Sequence, residues 1–364
     1  MVHATKQADA VTREGVQVRR FEGVPEAGVV AEWQELASRV GAGRVAVMPQ
    51  WLAVLERGLG HGPYALEARR GSGQLAGVLL LARVRSWLFG DALVSLPYVS
   101  VGGTLAEDEE AAGQLIDAAV ELARELDVDY LQLRHERPVE HDALNACRSD
   151  KVMMRLELPD NPEALWKAVG PKVRNQVRKG ERCGLAVSWG GEELLADFYR
   201  VFARNMRDLG TPVYPRSLFR AMLDCFGERC EICVVRGEGD QPYAAGILVH
   251  GDGSTEVPSA SSLREYNSTC ANMLMYWHLL KRAIERGQRE FEFGRSTEGS
   301  GPYRFKKQWG AQPTRLHWQY HVRRGDPTSV RPDDDRFAWK VRLWRKLPLW
   351  LANTLGPRIA RGIP

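Results

Sequence analysis

The chain has 364 residues, of which 44% are hydrophobic and 26% are charged, a balance typical of a soluble globular protein. This length exceeds what one hydrophobic core usually supports, so it predicts two domains. The net charge of +4 is compatible with an anionic ligand but does not by itself indicate nucleic-acid binding. No apolar run reaches the roughly 18 residues of a membrane-spanning helix, and residues 1–15 lack the apolar centre of a signal peptide. We therefore expect a cytoplasmic protein.

Six cysteines are spread along the chain. Cys230 and Cys233 have the spacing of a metal-binding pair, and Cys225 lies close by, but no fourth Cys or His is near. The residues around Cys233 have the composition of a strand, which favours core thiols. The sequence predicts no metal site and no cofactor.

The first half of the chain predicts a domain over residues 16–150, after a disordered segment at 1–15. Apolar residues recur with strand or helix periodicity, and Gly-rich turns separate the segments. Strands are expected at 16–21, 64–69, 75–84, 92–101 and 129–134, and helices at 31–40, 49–59 and 109–126.

The second half repeats this order in a domain expected over residues 151–330. Strands are predicted at 230–236, 244–250, 254–262 and 289–293, and helices at 194–209 and 268–286. In both halves antiparallel strands come first, and one helix then leads to a parallel strand. We interpret the chain as a duplicated α/β unit, each domain having a mixed, largely antiparallel twisted sheet flanked by helices.

A basic segment at residues 161–183 precedes the second set of strands. Its apolar residues form one helical stripe, and its other face is cationic. Two interpretations stay open: a solvated face of a packed helix, or a surface for a phosphate-rich partner such as tRNA. The candidate cations are Lys172, Arg174, Arg178, Lys179 and Arg182.

The helix at 194–209 ends in a corner made rigid by Pro212 and Pro215. Polar residues crowd this corner, which favours a loop that faces a ligand over simple helix termination. They include Asn205, Arg207, Asp208, Thr211 and Tyr214.

The stretch at 291–310, FEFGRSTEGSGPYRFKKQWG, combines a buried strand, a Gly-rich loop and a cationic, aromatic cluster. A strand fixes position, glycines let the backbone approach a ligand, and cations meet negative charge. This combination favours a functional site over an ordinary turn.

A basic tail at 331–364 has no acidic residue after Asp335 and contains Trp339, Trp344 and Trp350. Such a segment lies either on an anionic membrane surface or, through its tryptophans, on the second domain. Both alternatives stay open, so a peripheral position at the inner face of the membrane accompanies the cytoplasmic prediction.

Several motifs together resemble the FemAB-type aminoacyl and acyl transferases. The strongest is FGRS followed by GPYRFKKQWG, and others are KVRNQVRKGERCG (172–184), NMRDLGTPVYP (205–215) and ANMLMYWHLLKRA (271–283). In the first half, MPQWLAVLERGLG and LVSLPYVSVGG are similar as well. The resemblance covers about residues 20–320 and is greatest to the FemAB-like proteins of exosortase (PEP-CTERM) and exopolysaccharide systems.

This resemblance implies two tandem GNAT-like domains and an N-acyltransferase activity. The expected substrates are an aminoacyl or acyl donor and an amino group on a peptidoglycan, exopolysaccharide or other cell-envelope precursor. Lys306 is expected to stabilise the anionic tetrahedral state, Phe305 to position the donor, and Glu298 or Asp208 to accept the amine proton. The substrate-binding candidates are Arg295, Ser296, Tyr303, Arg304, Lys307, Trp309, Asn205, Arg207, Thr211, Tyr214 and Asn272.

The identity of the donor stays open between aminoacyl-tRNA, acyl-CoA and an acyl carrier protein. A CoA-binding GNAT domain has a Gly-rich loop before its long helix, whereas this chain reads REYNST at 264–269, without either glycine. This difference argues against ordinary CoA binding in the second domain, although Asn267 is a residue type that can adopt the left-handed backbone. No helical arm like that of some Fem enzymes is present. The alternatives are a GNAT-like transferase using acyl-CoA or an acyl carrier protein, and a non-catalytic scaffold of an envelope-polysaccharide system.

Overall fold

The protein is described here by a computed structural model. It covers residues 8–13, 15–40, 43–86, 89–326 and 335–364, with backbone alone for 8–13 and 335–338. The chain divides into two compact units. The first contains Met1–Asp150, Arg315–Arg331 and Arg361–Pro364, and the second contains Lys151–Thr314 and Pro332–Ala360.

The first unit is built on a nine-stranded sheet of order β1-β2-β3-β4-β5-β7-β16-β8, with β6 paired to β4. β5 and β7 are parallel, and α3 is the helix that connects them. The elements are β1 (Ala8–Arg13), β2 (Val16–Glu22), α1 (Ala27–Arg39), α2 (Gln50–Leu59), β3 (Gly62–Arg70), β4 (Leu75–Ser86), β5 (Gly90–Val94), β6 (Leu105–Ala106), α3 (Glu109–Glu125), β7 (Tyr130–His135), β8 (Ala146–Arg148) and β16 (His317–Val322).

The second unit is built on a seven-stranded sheet of order β10-β11-β12-β13-β14-β9-β15. β13 and β14 are parallel, and α8 connects them. The elements are β9 (Lys151–Glu157), α4 (Pro162–Ala168), α5 (Pro171–Arg182), β10 (Ala186–Gly190), α6 (Leu195–Leu209), α7 (Arg216–Phe226), β11 (Cys230–Arg236), β12 (Pro242–His250), β13 (Ser254–Ser262), α8 (Ala271–Glu285), β14 (Glu290–Thr297), α9 (Gly301–Lys307), β15 (Gln312–Arg315), α10 (Asp335–Arg345) and α11 (Leu349–Ala360).

Local sequence explains where the helices begin and end. The Asp108 carboxylate caps α3 by accepting a hydrogen bond from the Ala111 amide at 2.9 Å, and Glu109 and Glu110 follow in the first turn, where the helix dipole favours negative charge. Pro171 begins α5 because proline fits the first helical turn, and it separates α4 from α5 within the segment predicted as one basic stretch.

The core of the second unit lies between its sheet and the helices α5 and α8. Val173 and Val177 of α5 face Leu274 and neighbouring residues of α8, and Phe291 of β14 is fully buried below them. Cys230 and Cys233 are both buried in β11, as expected of core thiols. They are three residues apart on one strand, so their side chains point to opposite faces of the sheet.

The predicted fold class is confirmed: each unit has a mixed, largely antiparallel sheet flanked by helices. Three details differ. Ala8–Arg13, within the segment expected to be disordered, pairs with β2 as a strand, whereas residues 1–7 and 14 lie outside the described residues. The strand expected at 92–101 ends at Val94. Residues 317–322, expected in the second domain, form β16 of the first sheet.

The C-terminal helices α10 and α11 pack against α6 in the second unit. This contact is not made by Trp339 and Trp350, which are 59% and 69% exposed. The structure therefore shows the tail packed on the second unit, one of the two alternatives above, with Trp344 half-buried and without a contribution from Trp339 and Trp350. None of the described helices is both long and apolar enough to cross a bilayer.

Candidate active site

The second sheet contains a fork between its two parallel strands. β13 and β14 pair at Ser254–Glu290, Thr255–Phe291 and Glu256–Glu292, and the pairing ends there although both strands continue. We call this opening, lined by residues 257–262 of β13 and 293–297 of β14, the fork. A split between adjacent parallel strands exposes backbone groups that a ligand can bind.

Sequence explains why the strands diverge at this point. β13 carries an extra residue relative to β12 between Glu256 and Ser259, and Pro258 in this bulge has no amide hydrogen to donate. β14 carries an extra residue relative to β9 between Glu292 and Arg295, where Gly294 has a φ of +76°. Both strands therefore bend directly after their last pair.

The corresponding position in the first unit is filled by the chain itself. After β5 ends at Val94, the backbone reverses through Leu96 and Tyr98, both with positive φ, and the amides of Gly102 and Gly103 donate to the Arg134 carbonyl. The buried Arg134 guanidinium donates to the Val99 carbonyl at 2.6 Å. Residues of the segment 95–103 therefore bond to β7 in the first unit, whereas in the second unit the two parallel strands separate after Glu256 and Glu292.

Lys306 lies at the β14 side of the fork. Its side chain is buried, and its Nζ donates to the carbonyl oxygens of Gly294 and Arg295, each at 3.0 Å. Burial, together with the charge of Arg295, lowers the pKa of Lys306 to about 8. The ammonium group has a third hydrogen, which the two carbonyls do not use.

Aromatic residues surround α9, the helix that carries Lys306. The Phe305 ring packs edge-on against Tyr276 of α8 at a centroid distance of 4.9 Å, and Tyr303 is half-buried against the same core. Trp309 is only 2% exposed, and within the described part of the chain its Nε1 has no hydrogen-bond partner. Trp309 is therefore a core residue that supports α9.

The loop before α9 presents polar groups in different environments. Glu298 of the loop is exposed, as are Arg295 at the end of β14 and Lys307 at the end of α9, whereas Ser296 of β14 is 6% exposed. Arg304 donates to the Gly299 carbonyl at 2.7 Å, so it holds the loop that precedes its own helix. The loop ends at Ser300, whose hydroxyl caps α9 by accepting from the Tyr303 amide.

The corner after α6 lies on the β13 side of the fork. The Asn205 amide donates to the Ser261 hydroxyl of β13 at 3.0 Å, which connects this corner to the fork. Arg207 is paired with Asp208 at 2.7 Å and also donates to the Leu347 carbonyl. Asp208 therefore lies in an ion pair.

The other two residues of the corner have different surroundings. Thr211 is exposed, and the Tyr214 ring stacks on Phe202 at 6.2 Å. Of the group 205–214 the structure thus connects Asn205 to the β13 side of the fork, whereas residues 295–297 lie on the β14 side.

The start of α8 places the left-handed backbone at another residue. Asn267, a residue type that can adopt it, lies in a short 3-10 helix. The left-handed residue is Cys270, with φ of +60°, directly before the helix begins at Ala271. Asn272 is half-buried in the first turn.

The predicted cationic face of α5 separates into two groups. Arg174 donates to the Val169 carbonyl and so closes the end of α4, and the Arg178 guanidinium lies 5.3 Å from the Trp166 ring centroid. Lys172, Lys179 and Arg182 are exposed on the face opposite the buried Val173 and Val177.

Sequence reasoning missed a buried charged cluster where the fork begins. Glu256 and Glu292 face each other across β13 and β14, and Arg155 of β9 donates to Glu292 at 3.2 Å. Burial and the Glu292 carboxylate raise the pKa of Glu256 to about 8. The available signal was a carboxylate between the buried residues Phe291 and Phe293, a polar residue at the centre of an apolar strand.

Comparison with known proteins agrees with this geometry. Residues 171–307, which contain the fork, match the family model described as an acetyltransferase (GNAT) domain. Over these residues the chain is similar to GNAT domains. Comparison with curated protein sequences gave no match.

Solved structures extend the similarity to both units. FemX has a TM-score of 0.61 at 15% identity and covers 79% of this chain and 95% of its own. A tandem GNAT protein from the clavulanic acid biosynthesis pathway has a TM-score of 0.52 at 14% identity, and the match covers 83% of this chain and 97% of that protein's chain. The C-terminal domain of a putative lysylphosphatidylglycerol synthetase from Agrobacterium fabrum has a TM-score of 0.52 at 14% identity, and the match covers 81% of this chain and 92% of that domain. At these identities the likeness shows the fold: two tandem GNAT-like domains.

Proposed function

We propose that this chain is a FemAB-like N-acyltransferase that acylates an amino group of a cell-envelope precursor, of the peptidoglycan or exopolysaccharide type. The amine nitrogen attacks the donor's ester or thioester carbonyl, a C–N bond forms, and the C–O or C–S bond to the carrier breaks. The proton lost by the amine goes to the leaving oxygen or sulfur, so the reaction needs no oxidant or reductant.

The observation that carries this proposal is the fork with Lys306 beside it. The pairing of β13 with β14 ends at Glu256–Glu292, which separates the two strands where an extended donor would bind, and the Lys306 ammonium is held by two carbonyls of β14. A fixed cation in a buried setting stabilises the negative charge that develops on the tetrahedral oxygen. Arg295 and Lys307 supply exposed positive charge on the same side for an anionic substrate.

The donor class separates two versions of this function. The exposed Lys172, Lys179 and Arg182 of α5 favour a polyanionic donor such as aminoacyl-tRNA. The left-handed Cys270 before α8 favours the acyl-CoA alternative, because it provides a turn before a helix N-terminus without a glycine.

A binding titration with charged tRNA and with acyl-CoA, at low and moderate salt, tests the proposal. We expect tRNA binding that depends on salt and weakens at least about tenfold in the variant Lys172→Ser/Lys179→Ser/Arg182→Ser. Each lost phosphate contact should also reduce the slope of the logarithm of the binding constant against the logarithm of the salt concentration by about 0.7 to 0.9. The control Lys340→Ser/Arg342→Ser/Lys346→Ser removes the same charge from the tail and should bind tRNA like the wild type.

Saturable acyl-CoA binding without tRNA affinity would assign the donor to the acyl-CoA class. Absence of binding to both, together with absence of transfer from an acyl carrier protein to any amine acceptor tested, would contradict the enzymatic proposal and leave the scaffold alternative.

A further inference from the structure

Exposed large hydrophobic side chains are concentrated in one region. Among the described residues six such side chains are exposed, and four of them lie within 17 residues of the tail: Trp339, Leu343, Trp350 and Leu355. A fifth, Leu209, ends α6, and its carbonyl accepts a hydrogen bond from Arg345 of α10. We call these five residues the tail patch. Exposed large apolar side chains concentrated in one segment indicate a binding surface.

The inward faces of the two helices explain why the tryptophans point outward. Gly356 of α11 lies so close to α6 and its corner that an added Cβ would be 2.8 Å from the Val213 backbone nitrogen. Ala352 is buried on the same helix, and Val341 of α10 packs against Gly210. Small and aliphatic residues therefore make much of this contact and Trp344 is half-buried, whereas Trp339 and Trp350 are left exposed.

The tail patch is accompanied by cations. Lys340, Arg342, Arg345, Lys346 and Arg358 are all exposed, and no Asp or Glu occurs between residues 336 and 364. Trp339 and Leu343 are four residues apart on α10, and Arg342 and Arg345 are three apart, so each pair shares a helix face. The Lys340 ammonium lies 5.7 Å from the Trp339 ring centroid.

We propose that the tail patch and these cations bind the surface of an anionic lipid bilayer. Tryptophan has an apolar body and a polar N–H group, which suits the boundary between headgroups and acyl chains. Lysine and arginine near the surface each contribute attraction to anionic headgroups, and an all-cationic segment has no acidic residue to oppose it. The helices lie on the membrane, because neither is long enough to cross it. This inference does not depend on the proposed reaction.

Co-sedimentation of the full chain with vesicles tests the inference. We expect binding to phosphatidylcholine vesicles that contain phosphatidylglycerol, weaker binding as salt increases, and little binding to phosphatidylcholine alone. The variant Trp339→Ala/Trp350→Ala should bind at least about tenfold more weakly, because two buried aromatic groups are lost. The variant Lys340→Ser/Arg342→Ser/Lys346→Ser should lose about a hundredfold at low salt.

Two controls keep the result specific. The variant Lys172→Ser/Lys179→Ser/Arg182→Ser changes net charge equally on α5, and it should bind vesicles like the wild type. Quenching of tryptophan fluorescence by brominated lipid should occur in the wild type and be largely lost in Trp339→Ala/Trp350→Ala, whose exposed positions leave the thermal transition unchanged.

Equal loss of binding in the α5 variant would overturn the inference, since net charge rather than the tail would then drive association. So would absence of binding to the anionic vesicles. Concentration-dependent dimerisation in solution that Trp339→Ala/Trp350→Ala abolishes would assign the patch to a second copy of the chain instead.

Discussion

Lys306 shows how burial changes the chemistry of a single side chain. The sequence places it beside Lys307 in one basic run, yet Lys307 is exposed whereas the Lys306 ammonium is buried against two carbonyls. The α-helical geometry of residues 301–307 produces this difference, because adjacent residues on a helix point about 100° apart.

The pKa of Lys306 leads to a prediction about pH. Because burial lowers the pKa to about 8, the stabilising ammonium form is lost as pH rises through that value, and transfer should slow there. Lys306→Met should reduce the transfer rate by about a hundredfold at pH 7. It should also remove the decline above pH 8, measured as the rate of transfer against pH.

A surface lysine of the same unit provides the comparison. Lys281→Met, at a side chain 41% exposed in a pair with Glu285, should leave both the rate and its pH profile unchanged. Full activity of Lys306→Met would rule out the proposed role of this ammonium group.

Glu256 is the second residue whose environment decides its behaviour. Its pKa is raised to about 8 in the folded protein, by burial and then by Glu292, from an ordinary value near 4.5. The folded state therefore binds the proton more tightly than the unfolded state. The contribution of this tighter proton binding to the free energy of unfolding is complete below pH 4.5 and is lost as pH rises through 8.

This linkage predicts the effect of Glu256→Gln. The neutral amide keeps the shape of the protonated acid, so the variant should be more stable than the wild type at pH 8, by about 1 to 3 kcal/mol, and its stability should decline less between pH 5 and 8. Urea unfolding at several pH values measures this. Glu181→Gln, at an exposed position of α5, should follow the wild type. Equal pH dependence in Glu256→Gln and the wild type would contradict the assignment of the titrating group.

At the scale of elements, the strands and helices were largely predictable, but their ends at the two parallel pairs were not. The periodicity at 254–262 predicted β13 correctly, yet the end of its pairing with β14 depends on bulges that are defined only relative to β12 and β9. The strand expected at 92–101 stops at Val94, after which the backbone reverses through Leu96 and Tyr98 and the Val99 carbonyl accepts a hydrogen bond from Arg134. A pattern within one segment contains no information about such a distant partner.

α9 was also missed, because its seven residues are too few to show helical periodicity. Ser300 and Pro302 are the signals that could have found it, as an N-cap followed by proline in the first turn.

At the scale of the whole molecule, each of the two units is built from segments that are not consecutive in the sequence. β16 follows the second unit in sequence but lies between β7 and β8 in the first sheet. The Trp318 ring covers the buried Arg134 guanidinium at 4.3 Å, and Gln319 and Tyr320 form hydrogen bonds with His135 and Gln132. The first unit is therefore incomplete when the chain is cut at Asp150.

We predict that a fragment of residues 1–150 will lack a cooperative thermal transition, because an edge of β7 and a buried arginine lose their partners. Joining residues 315–326 to that fragment through a flexible linker should restore the transition, measured by circular dichroism. A linker carrying the same twelve residues in scrambled order serves as the control. Cooperative unfolding of fragment 1–150 alone would show that β16 is dispensable.

The sequence by itself determined the fold class and the duplicated order of elements, because periodicity, turn residues and local motifs are properties of neighbouring residues. Only the tertiary structure decided that the first fork is filled, that Lys306 is buried, that Glu256 faces Glu292, and that Trp339 and Trp350 point outward. Each of these depends on tertiary contacts between segments that are distant in sequence. Burial, pKa and exposure of a side chain follow from those contacts rather than from local composition.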